Sequence, residues 1–220
     1  MGIDLGQRQD FTAICVTEQQ TRLVEKRPET CYHIRYLSRI ELGTPYPAVA
    51  KRVAEIVTNV RARQVGKLTV YADATGVGLP VVDLLKAAGV PVIPCLFNHG
   101  DKRKAEKDEH RVSIGKAWLV SRLQALLASG CILLPKTEDA ALLAEELINF
   151  EIRLSEDADF KAGAFKVGTH DDLVTALGLA VQDTTTTRPF SSATAGAGER
   201  PVLRFDNGRL SMPRVYRPRW

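Results

Sequence analysis

What the chain lacks narrows its class first. No stretch of the 220 residues approaches the about 18 consecutive apolar residues that span a bilayer, and the N-terminus has no charged-then-apolar secretion signal. Cysteine is scarce, and Cys15, Cys31, Cys95 and Cys131 form no C-x-x-C and sit near no histidine pair. That spacing argues against a disulfide scaffold or a structural zinc site, and the expectation is four reduced, buried thiols. No Ser-His-Asp or Cys-His arrangement offers a side-chain nucleophile. No G-x-x-x-x-G-K-[ST] phosphate loop is present either, because Gly76-Val77-Gly78 is not followed by Lys-Ser/Thr.

What is there reads as a globular chain with 45% hydrophobic and 25% charged residues, enough to bury a full core. The net charge of +4 is unevenly placed. Seven arginines against two acids lie in 184–220, which leaves 1–183 close to neutral. The stretch 184–200, TTTTRPFSSATAGAGER, reads as a low-complexity linker, so the expected organisation is one domain over 1–183 followed by a disordered basic tail over 184–220.

Within 1–183 the pattern alternates between strand and helix. Met1–Leu5, Phe11–Thr17 and Tyr32–Leu42 are strand-like and closely connected, which favours an antiparallel meander. Pro47–Arg63 then carries Val49, Val53, Ile56, Val57 and Val60 at helical spacing. Further strands are expected at 67–72, 90–97, 131–134 and 160–167, with helices at 79–88, 111–129, 138–153 and 171–182. Strand–helix–strand units of this kind imply parallel pairing, so the fold class is α/β: three antiparallel strands followed by parallel strands with crossover helices.

Ligand sites in such sheets gather at the carboxyl ends of the parallel strands. Three acidic positions stand out there. Asp4 lies between Ile3 and Leu5, where an unmatched carboxylate is expensive to bury. Asp73 closes the apolar run 68–72 and precedes Ala74-Thr75-Gly76-Val77-Gly78. Asp171 and Asp172 follow Gly168-Thr169-His170 and open an apolar helix, where an acid also serves as an ordinary helix-start residue. Carboxylates converging from these places would repel one another, and hard divalent cations are the natural compensation. Asp10 reads as a turn residue.

The segments GIDLGQRQDFTA, GTPYP, DATGVG and GTHDDLVTALGLA, in that order, resemble the nuclease domain of phage terminase large subunits. The resemblance covers about 1–183 and implies a ribonuclease H-like mixed sheet with helices on both faces. It implies a Mg2+- or Mn2+-dependent endonuclease that cleaves double-stranded DNA concatemers during phage genome packaging, by two-metal phosphodiester hydrolysis. By position Asp4, Asp73 and Asp172 match the metal-binding acids, with Asp171 as a helper and His170 as an assisting group. Arg8, Lys102, Arg103, Lys104 and Lys107 are the candidate DNA contacts, through phosphates rather than bases. Implied partners are a packaging ATPase domain or chain, the small terminase subunit and the portal, in the cytoplasm of a bacterial host. Without a phosphate loop, the expectation is a nuclease half, from a split gene, a prophage remnant or an expressed fragment.

Competing readings are a resolvase- or integrase-like nuclease of the same fold and a non-catalytic remnant that binds DNA or a portal. An actin-like ATPase fragment shares the opening GIDLG, but would need a second phosphate-binding glycine motif and a duplicate domain.

Overall fold

The computed structural model describes residues 1–6, 10–24, 27–63, 66–75, 79–106, 110–150, 171–183, 204–206 and 209–211. In chain order these form β1 (Gly2–Asp4), β2 (Thr12–Val24), β3 (Arg27–Ile40), α1 (Tyr46–Arg61), β4 (Val70–Asp73), α2 (Leu79–Ala87) and β5 (Val92–Asn98). There follow β6 (Arg103–Glu106), β7 (Arg111–Gly115), α3 (Lys116–Ala128), β8 (Ile132–Leu133), α4 (Glu138–Asn149) and α5 (Asp172–Ala180). In the tail, β9 (Arg204–Asp206) and β10 (Arg209–Ser211) pair antiparallel with each other.

The first eight strands make one mixed sheet in the order β6-β7-β5-β4-β1-β2-β3-β8. The meander β1–β2–β3 is antiparallel, whereas β1–β4, β4–β5 and β5–β7 are parallel, as the strand–helix–strand pattern requires. β6 adds an antiparallel edge beside β7, and β8 a parallel one beside β3.

Helices cover both faces. On one face α1 and α2 bury Val49, Val53, Ile56, Val57, Val82 and Leu85 against Ile3, Ile14, Val70 and Ala72. The α1 stripe is the one the valine spacing announces. On the other face α3, α4 and α5 contribute Leu119, Leu123, Leu143, Leu173 and Leu177 to a core with Ala13, Tyr71 and Cys95. α5 is apolar nearly all round, the signature of a helix buried on several sides. Glycines let it sit that close. A Cβ on Gly2 would strike the backbone of Ala176 and Ala180, and one on Gly178 would strike the Leu119 side chain.

The structure corrects several expectations. Residues 111–115 are strand rather than the start of a helix. Arg111-Val112-Ser113-Ile114 alternates, with Val112 and Ile114 buried, and the helix begins only at Lys116. Arg103 and Lys104, among the candidate DNA contacts, lie on a strand, β6, that the pattern did not mark and that pairs antiparallel with β7. The first hairpin is longer than expected, running through Val24 and back from Arg27. Cys31 and Cys131 are joined in a disulfide, not both reduced. Tyr32 pairs with Ile132 on neighbouring parallel strands, which sets the two preceding cysteines side by side with Cα atoms 4.2 Å apart. Cys15 and Cys95 are free and buried. The expected strand at 160–167 and the end of the helix expected to reach 153 lie outside the described residues, and so does most of the expected tail.

Candidate active site

Register places the acids. Gly2 pairs with Tyr71 and Ile3 with Ala72, so Asp4 and Asp73 end β1 and β4 at the same level of adjacent parallel strands. Ile3 and Ala72 face α1 and α2. Alternation along each strand therefore turns Asp4 and Asp73 to the opposite face, toward α5. The same row continues across the sheet, because Asp4 pairs with Ala13 and Ala13 with Arg39. Asp73, Asp4, Ala13 and Arg39 thus form one line, and the small Ala13 in its middle belongs to the core that α5 completes.

The N-terminus of α5 brings the remaining acids to this line. Asp171 stands at its N-cap position and Asp172 is its first residue, with a side chain only 3% exposed. The crowding is electrostatic as well as spatial. Burial pushes the Asp4 carboxyl well above the usual carboxylate range, and the charges of Asp73, Asp172, Asp171 and Asp10 push it further. Asp171 is raised to about 6, first by burial and then by Asp172, while Lys116 pulls it back. Asp73 is raised by burial, opposed by its hydrogen bonds to Thr75 and by Lys116.

Local hydrogen bonds fix the ends of the strands. After Asp4 the chain turns through Gly6, whose carbonyl accepts from Thr12 Oγ1 at 2.7 Å. After Asp73 the Thr75 amide donates to Asp73 Oδ1 at 2.8 Å, and Thr75 Oγ1 accepts from the Phe97 amide at 2.8 Å. The Asp73 turn is thereby pinned to β5.

Four carboxylates at one sheet rim are a hard-oxygen donor set of the kind that suits Mg2+ or Mn2+. They do not yet form a closed cage. Among the described residues, no group of three Asp, Glu, His or Cys side chains is already arranged to hold an ion. Asp172 leans instead toward Arg39, with Oδ2 3.5 Å from Nη2.

Comparison with known proteins now decides the family. The model of the terminase RNase H-like domain matches residues 1–183. The chain belongs to the terminase RNase H-like domain family. Among solved structures, the human cytomegalovirus terminase nuclease domain soaked with Mn superposes with a TM-score of 0.53 at 13% identity, covering 82% of this chain and 80% of that one. An inhibitor-bound, Mn-soaked form of the same viral domain gives a TM-score of 0.50 at 13% identity and the same coverage. At that identity the likeness establishes the fold, here the ribonuclease H-like one. No curated protein matches by sequence.

The other candidate residues of this terminase-family domain fall in different places. Lys102 and Lys104 are exposed on and beside β6, whereas Arg103 turns inward and donates from Nε to Gln182 Oε1 at 3.0 Å. His170, Arg8 and Lys107 lie outside the described residues.

Three residues at the site escape a reading of the sequence. Glu146 on α4 accepts from the amides of Leu173 and Val174 at 3.0 and 3.1 Å through Oε2 and pairs with Arg39 through Oε1. Burial raises its carboxyl to about 7 despite those bonds. Arg39 joins α4, α5 and β3, and Lys116 opens α3 close enough to act on both Asp73 and Asp171. An acid at Glu146 looks like any solvated helix residue in the sequence. Only the pairing of β3 with β2 could have marked Arg39.

Proposed function

We propose that this chain is the endonuclease domain of a viral packaging machine, cutting double-stranded DNA concatemers with Mg2+ or Mn2+. The observation that carries this reading is the row of Asp4 and Asp73 meeting Asp171 and Asp172 at the start of α5, in a member of the terminase RNase H-like family. That the cytomegalovirus domain of the same fold was soaked with Mn supports the use of a divalent cation. Asp4, Asp73 and Asp172 would hold the ions, with Asp171 beside them. Such ions, when bound, activate a water for attack on the phosphodiester and stabilise the leaving 3′ oxygen.

The chain's own residues supply position and charge. Thr75 holds the Asp73 carboxylate toward the rim, and Lys116 offsets part of the negative field around Asp73 and Asp171. Lys102 and Lys104 on the edge hairpin are available to phosphates, the expected mode for a cut made with little sequence preference. Arg8, Lys107 and His170 remain candidates for phosphate contact and proton transfer. The rest of the machine would supply the ATPase domain or chain, the small subunit and the portal, in the host cytoplasm. Among the described residues, no helix is long and apolar enough to cross a membrane.

The test is supercoiled plasmid incubated with Mg2+ or Mn2+. The wild-type chain should nick and linearise it, and Asp73→Ala and Asp4→Ala should each lower the rate by at least about a hundredfold while remaining folded. Intact plasmid with every metal, from a folded protein, would favour a DNA- or portal-binding role without turnover.

A further inference from the structure

Besides Lys116, the protein brings a second cation of its own to the acidic rim. Arg39 ends the row Asp73, Asp4, Ala13, Arg39 and packs its guanidinium over the Phe11 ring, 4.9 Å from the centroid. Its Nη2 pairs with Glu146 Oε1 and stands 3.5 Å from Asp172 Oδ2. Asp139 also feels its charge. All three principal side chains are sheltered, at 18%, 8% and 3% exposure for Arg39, Glu146 and Asp172. Arg39 Nε is buried with no hydrogen-bond partner among the described residues, so the guanidinium fork is only partly used.

The two carboxylates are not equal partners. Glu146 is anchored, since its other oxygen accepts the Leu173 and Val174 amides. It also makes the closer contact with the arginine. Asp172 makes the longer contact, and is the one that the metal reading needs at the rim. Moving Arg39 off Asp172 gives up the weaker interaction and keeps the stronger.

We propose that Arg39 is the built-in counter-cation of Asp172 in the metal-free protein, and that Glu146 is a positioning residue which retains Arg39 when Asp172 turns to a divalent cation. This inference rests on the reading of Asp4, Asp73 and Asp172 as the metal-binding acids. It gives the two residues opposite effects. Without Arg39 the competition for Asp172 disappears, so the metal binds more tightly. Without the Glu146 charge the arginine has Asp172 as its main partner, so the metal binds more weakly. A merely structural role would lower stability in both cases and separate nothing.

The experiment is Mn2+ titration of the full chain by calorimetry, with Mn2+-induced shift in melting temperature as a second readout. Arg39→Gln should tighten Mn2+ binding and Glu146→Gln should weaken it, each on the order of three- to tenfold. Should Arg39→Gln fail to fold, Arg39→Met keeps the aliphatic stem over Phe11 and removes the charge that faces both carboxylates. It should then bind Mn2+ more tightly than wild type by about twofold or more. Wild-type affinity in the folded variants, or changes of the same sign in both, would overturn the proposal. Absence of Mn2+ binding by the wild-type protein would instead remove the metal reading on which it stands.

Discussion

Asp4 is the acid for which the metal-free fold has least to offer. It is enclosed at the end of β1, and every charge that raises its carboxyl is another carboxylate: Asp73, Asp172, Asp171 and Asp10. Replacing a group held under such strain by a neutral isostere should relieve the fold even as it removes a ligand. Asp4→Asn is therefore expected to raise the melting temperature measured in EDTA by about 2–4 °C, a shift of roughly 1 kcal/mol for a domain of this size. The same variant should lose the Mn2+-induced stabilisation and the cleavage of plasmid. A melting point unchanged or lowered in EDTA, together with a preserved Mn2+ response, would contradict the idea that these carboxylates crowd one another. Asp10 is a useful contrast. It is exposed on the turn after β1 and contributes to the field on Asp4 from outside the row, so Asp10→Asn should leave cleavage within about threefold of wild type.

At the scale of elements, α5 is the piece on which the site depends, and Gly2 sets its height above the sheet. A methyl group there would meet backbone atoms of Ala176 and Ala180, which cannot swing aside as a side chain could. Gly2→Ala should destabilise the domain by about 1–3 kcal/mol. Because α5 carries Asp171 and Asp172, cleavage at a temperature where the variant is fully folded should fall by more than tenfold; normal activity in that folded variant would show that helix height does not matter. Much of this arrangement was legible in the sequence. The strands before and after Gly6, the valine spacing of α1 and the largely apolar run after Asp172 each express one element's own burial. The acids at strand ends follow from the rule that parallel sheets gather ligands there. The strand β7 was hidden because Val112 and Ile114 run straight into the apolar helix that Lys116 begins, so one periodicity masks the other. Arg39 and Glu146 were hidden for a different reason. Their roles depend on β3 lying in register with β2 and on α4 reaching the start of α5, neither of which any local window of residues contains. The Cys31–Cys131 pairing likewise spans 100 residues and depends on β8 adding beside β3.

For the molecule as a whole, the acidic rim should appear as a pH dependence of opposite sign to that of an ordinary salt-bridged carboxylate. Glu146 is raised to about 7 and Asp171 to about 6, with burial the largest cause in both, and Asp4 and Asp73 are raised as well. The folded state therefore holds protons that the unfolded chain releases near pH 4. Linkage makes the sign definite: the contribution of Glu146 and Asp171 to stability is complete below about pH 4 and is lost as pH rises through 6 to 7, and Asp4 and Asp73 act with the same sign. In EDTA the melting temperature should accordingly decline between pH 5 and pH 8. A divalent cation binds the ionised carboxylates, so it competes with more protons at the lower pH than at the higher. The stabilisation produced by Mn2+ or Mg2+ should be small at pH 5 and several-fold larger at pH 8, which thermal melts with and without EDTA would measure directly. A flat profile in EDTA, or a metal effect of equal size at both pH values, would mean that the carboxylates of β1, β4 and α5 do not share one electrostatic environment.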